Sequence, residues 1–138
     1  MGSFRLIEHT ADMGIEVFGD DLADFFVQAA RGLKEMVSVT AGAAPSEERM
    51  VEVTGGDSSE LLVNWLNEIL FLLETRGFFP IDFRVEEAGE DHLRARVLGE
   101  PFDPQRHRVE REVKAVTYHQ LQVEAVDGAW RARVFVDL

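Results

Sequence analysis

There is no cysteine among the 138 residues. Disulfides, thiolate metal sites and cysteine nucleophiles are thereby excluded, and the chain fits a reducing, cytoplasmic setting. No run of 18 apolar residues occurs, so no membrane-spanning helix is expected. The first residues lack the basic stretch and apolar core of a secretory signal. Basic residues are scarce: 14 Lys and Arg stand against 26 Asp and Glu, a net charge of −12. A field of that sign repels phosphate backbones, so tight direct binding to nucleic acid is not expected, and a basic protein or a divalent cation is the better match. Neither a P-loop nor a Gly-rich dinucleotide fingerprint is present. The four histidines, His9, His92, His107 and His119, are scattered singly and form no zinc pattern. No serine sits in a nucleophile-elbow context.

Apolar residues make up 46% of the chain, enough for a core in a single domain over 1–138. Residues 4–7 read as a strand, and 15–18 as a second in which Ile15 and Val17 oppose Glu16 and Phe18. Asp20-Asp21 offers a cap for an amphipathic helix over 21–37. Gly32 inside that helix signals close packing if it signals anything. A loop over 40–47 and a strand over 49–54 follow. Asp57 and Glu60 open a second helix, 58–76, whose apolar residues cover most of its circumference and leave a narrow polar stripe of Glu60, Asn64, Asn67, Glu68 and Glu74. Gly77 is placed to stop it. The rest alternates as strands: 81–87 and 92–98 form one hairpin, and 112–126 and 129–137 form another through Asp127-Gly128. Between them 99–111 reads as a charged, proline-containing loop. The expected class is α+β: a two-layer domain, a mainly antiparallel or mixed sheet with two helices packed on one face.

Few residues stand out as chemistry. Asp12, Asp137 and the terminal carboxylate of Leu138 would make a hard, oxygen-rich cation site if they converged. On the residues alone, two unrelated surface aspartates is the simpler reading. Lys114 sits in Glu-Val-Lys-Ala-Val-Thr-Tyr-His with Glu112 and Val116 on its face, and reads as a solvated strand lysine. Tyr118 and His119 read as core residues with satisfied polar tips, and His92 as exposed.

At these same residues the chain resembles the archease family. The pieces that carry the resemblance are His-Thr-Ala-Asp-Met-Gly-Ile (9–15), Leu-Leu-Val-Asn-Trp-Leu-Asn-Glu-Ile-Leu (61–70), Gly-Glu-Pro-Phe-Asp (99–103), Glu-Val-Lys-Ala-Val-Thr-Tyr-His (112–119) and Val-Phe-Val-Asp-Leu (134–138). They follow the family's order over essentially the whole chain. Met13 stands where the family often has Ile. The resemblance implies a small acidic protein that activates an RtcB-type tRNA-splicing RNA ligase, promoting guanylylation of a ligase histidine and multiple turnover. It implies a divalent cation, calcium first and magnesium or manganese as alternatives, held by Asp12, Asp137 and Leu138. Lys114, with Asp12, becomes a candidate for ligase activation. On this reading the chain is an activator and not an enzyme. The competing classes are a small metal-dependent phosphoester hydrolase and a chaperone-like RNA binder, the latter disfavoured by charge.

Overall fold

The computed structural model describes residues 2–8, 13–40, 44–74 and 77–138. Along these the order is β1 (Ser3–Glu8), β2 (Met13–Gly19), α1 (Leu22–Val37), β3 (Ser38–Thr40), β4 (Glu47–Thr54), α2 (Ser58–Glu74), β5 (Phe79–Ala88), β6 (His92–Glu100), β7 (His107–Val109), β8 (Ala115–Val126) and β9 (Ala129–Asp137). The fold is α+β, as expected. Every described strand pairing is antiparallel. The strands fall into a four-stranded sheet in the order β1-β2-β9-β8, a three-stranded sheet β4-β6-β5, and the short pair β3-β7.

Both helices start where side-chain oxygens meet free amides. Asp21 Oδ1 accepts from the Asp24 amide at 2.8 Å. Asp57 Oδ1 accepts from the Glu60 amide at 2.8 Å, and Glu60 reaches back to the Gly56 amide at 3.0 Å. Gly32 does signal close packing: a Cβ there would lie 2.7 Å from Cγ2 of Ile15. α1 packs on β1 and β2 on one side and on β5 on the other. α2 lies beside α1 and reaches β8. The helices are tied by the buried Trp65 indole, which donates to the Phe26 carbonyl at 2.9 Å. Trp65, Phe25, Phe26 and Phe83 are among the largest fully buried side chains. Each such burial contributes about 1.5–3 kcal/mol, so the space between the two sheets is the centre of stability.

Four expectations need correction. The 99–111 stretch is not wholly irregular: His107–Val109 pairs with Ser38–Thr40. β8 begins at Ala115, not at 112, because the residues before it run outside the ladder. Val116 does not share the face of Lys114: it is buried, while Lys114 is exposed. Tyr118 and His119 are not core residues; both are exposed, Tyr118 by 57%. The cause is a register shift. Thr117 pairs with Phe135 but the next pair is Gln122 with Arg133, so residues 118–121 bulge out of the ladder, and Gln120 takes a left-handed φ of 54°. α2 is described to Glu74, and Thr75 and Arg76 lie outside the described residues.

Candidate functional site

Antiparallel pairing of β2 with β9 sets Met13 opposite Val136 and Glu16 opposite Arg133. The expected site residue Asp12 lies outside the described residues. Those described are gathered at one end of the four-stranded sheet. Ala115 pairs with Asp137, and the Lys114 amide donates to the Asp137 carbonyl at 2.8 Å. Lys114, Asp137 and Leu138 are all exposed. Among the described residues, neither the Asp137 carboxylate nor the Lys114 ammonium has an ion-pair partner. Beneath them, Phe135 packs across Gly14, where a Cβ would come within 2.8 Å of its ring.

This end of β8 is held in place by a residue that sequence reasoning left in the polar stripe of α2. Asn67 Oδ1 accepts from the Val116 amide at 2.9 Å, and its Nδ2 donates to the Val116 carbonyl at 3.3 Å. One side-chain amide thus acts as a substitute neighbouring strand for Val116, two residues from Lys114. The only signal in the sequence was an asparagine on a largely apolar helix.

Among the described residues no group of three or more His, Asp or Glu is placed to hold a metal ion. The described part of the expected donor set, the Asp137 carboxylate and the α-carboxylate of Leu138, is hard oxygen and solvent-facing. It fits a divalent cation such as Ca²⁺ or Mg²⁺ in kind.

A second polar cluster lies in the 99–111 stretch and was missed. His107 is buried and stacks on Phe79, with ring centroids 4.0 Å apart and planes at 4°. Its Nδ1 accepts from the Asp103 amide at 2.9 Å, which places the ring proton on Nε2; that atom donates to buried Glu100 at 2.5 Å. Arg106 reaches the other Glu100 oxygen at 3.0 Å. The His107 hydrogen bond, and then Arg106, hold the Glu100 carboxyl below its ordinary pKa. With the imidazole side chain fully enclosed, this pair locks the loop and offers no substrate a path. The half-buried His92 bridges Asp91 at 3.0 Å and Glu87 at 2.8 Å. Those two carboxylates, Asp91 first, raise its pKa. It stands on a hairpin far in sequence from Lys114 and Asp137.

A model of the archease protein family matches residues 4–138. The chain is 44% identical over 135 residues to the protein archease of Methanopyrus kandleri, covering 96% of each chain. It is 37% identical over 142 residues to that of Pyrococcus furiosus, covering 100% of each. The solution structure of protein 1598 of Methanobacterium thermoautotrophicum superposes with a TM-score of 0.79 at 35% identity, over 99% of both chains. The crystal structure of a Thermotoga maritima protein described as an archease and possible chaperone shares the fold, with a TM-score of 0.63 at 22% identity over 97% and 96% of the two chains. With the family matched over nearly its full length, this chain is a member of the archease family.

Proposed function

We propose that this protein activates an RtcB-type RNA ligase in tRNA splicing, promoting guanylylation of the ligase and its multiple turnover. The observation that supports this most directly is the match to the archease family over residues 4–138. The exposed Lys114 and Asp137, joined through their backbones at 2.8 Å, form the working end. Asp12, Asp137 and the α-carboxylate of Leu138 would hold a divalent cation, which when bound supplies positive charge to offset that developing on a polyphosphate. Lys114 presents a second, mobile positive charge beside the carboxylates, suited to a phosphate oxygen of the ligase-bound nucleotide. The net charge of −12 speeds encounter with a basic ligase surface and makes it sensitive to salt. The protein works in the cytoplasm and forms no covalent intermediate of its own.

The competing reading is a metal-dependent phosphoester hydrolase. Against it, the one buried His–carboxylate pair among the described residues is enclosed and committed to the loop. The deciding experiment is ligation under single- and multiple-turnover conditions with the ligase from the same organism. Multiple turnover should rise with this protein and fall to near the unassisted rate with Lys114→Ala or Asp12→Ala. Phosphoester turnover by the purified chain without ligase would overturn the activator reading.

A further inference from the structure

The second half of α2 and the extended segment 109–113 enclose a groove of about 240 Å³. Buried Leu70, Leu73 and Val113 form its floor, with Phe102 and Val109 in its walls. Val109 in its wall is exposed by 55%, and Phe71, beside Leu70 on α2 and outside the lining itself, is exposed by 58%. Phe71 lies three residues before Glu74, which lines the groove, and four after Asn67, so all three share one helix face. The rim is acidic. Glu74 and Glu112 are exposed and have no ion-pair partner among the described residues. Arg111, the one basic group lining the groove among the described residues, is already matched by Glu8 at 2.9 Å and donates to the Met36 carbonyl at 3.2 Å.

An apolar hollow with an acidic rim selects its occupant by charge. A second copy of this chain would bring two acidic rims and two net charges of −12 together. RNA would be repelled by the same field. What fits is an apolar side chain flanked by lysine or arginine on a protein. The groove adjoins the working end along the chain: its lining residues Glu112 and Val113 immediately precede Lys114, and Asn67, one turn from Phe71, holds Val116. We propose that this groove docks an apolar, basic-flanked segment of the RNA ligase. The inference rests on the activator reading and assigns the contact surface that accompanies it.

The test measures binding of the full chain to the ligase by calorimetry, with melting temperatures to confirm that each variant is folded. Phe71→Ala and Val109→Ala should each weaken binding roughly tenfold, as truncation of an interface anchor does. Glu74→Lys with Glu112→Lys should weaken it and flatten its salt dependence. Met50→Ala, equally exposed at 53% but on β4, should bind as wild type. If the wild-type protein binds and activates the ligase while the Phe71 and Val109 variants bind equally well, the groove assignment falls and the activator reading stands. If the wild-type protein neither binds nor activates, both fall. Self-association abolished by Phe71→Ala would make a second copy the occupant and overturn the proposal.

Discussion

Replacing Asn67 by Ala removes two hydrogen bonds at once and leaves both backbone groups of Val116 without their partner. The bond to the amide, at 2.9 Å, is well formed; the one from Nδ2, at 3.3 Å, is long and weaker. Val116 is buried, and a buried polar group stripped of its partner costs about 1–3 kcal/mol. Solvent at the sheet edge can recover part of the carbonyl, so the loss should be about 2 kcal/mol, mostly from the amide. For a chain of 138 residues that corresponds to a fall in Tm of roughly 6–10 °C. Asn67→Asp should not rescue it, because the second carboxylate oxygen would face the Val116 carbonyl. Urea and thermal unfolding give the magnitude, and amide hydrogen exchange gives the location. Val116 should lose protection while Val134, in the middle of β9, changes only with global stability. A variant within 0.5 kcal/mol of wild type, an accepted margin for a surface substitution, with Val116 exchange unchanged, would refute the reasoning. Asn67 would then be a polar residue on α2 and no more.

Other outcomes follow from the same geometry. The Glu100 carboxyl sits below its ordinary pKa, so its stabilising contribution is present above the unfolded-state pKa and is lost as pH falls through the folded-state value. Glu100→Gln should therefore be less stable than wild type at pH 7, with a gap that narrows towards pH 3; urea midpoints at the two pH values check this. Gly128 has φ 83° and open space where a Cβ would go, so Gly128→Ala should cost only conformational strain, about 1 kcal/mol by thermal unfolding. Extending the chain by one glycine after Leu138 turns its α-carboxylate into a neutral amide and displaces the charge by about 3.5 Å. Calorimetric titration should show weaker binding of calcium with this extension than with an N-terminal one; equal affinity would remove Leu138 from the proposed ligands.

What could be read in the sequence was whatever is local. The Asp57–Glu60 start of α2, the near-continuous apolar surface of that helix and the Asp127-Gly128 turn each carry their cause within a few residues, and each is present. The alternation of Ile15 and Val17 against Glu16 and Phe18 was equally legible. Tyr118 was misplaced because alternation is counted along an unbroken strand. Four residues set against one reset the count, and nothing in Tyr-His-Gln-Leu announces it. The Glu100–His107 pair was invisible for another reason: it depends on Phe79, twenty-one residues before Glu100, supplying the flat surface on which the imidazole lies. The proposed working end was half legible. The acid at 137 was conspicuous, whereas the groups that hold Lys114 beside it are a main-chain carbonyl and an asparagine on a helix.

The bulge in β8 has a further consequence, in what the sheet can pair with beyond itself. β8 is twelve residues long and lies at an outer edge of the four-stranded sheet. A flat edge of that length is a template on which another chain can add a strand, and such edges promote aggregation. Here the edge is cut twice. Asn67 occupies the outward backbone groups of Val116, and residues 118–121 leave the plane with Gln120 in a left-handed conformation. Only the stretch from Gln122 to Val126 remains straight, and Gln122 and Glu124 keep its outer face polar. The opposite edge, β1, is short, with six residues. One edge is thus protected by brevity and the other by irregularity, so straightening residues 118–121 would present a longer continuous edge on which another chain could add a strand.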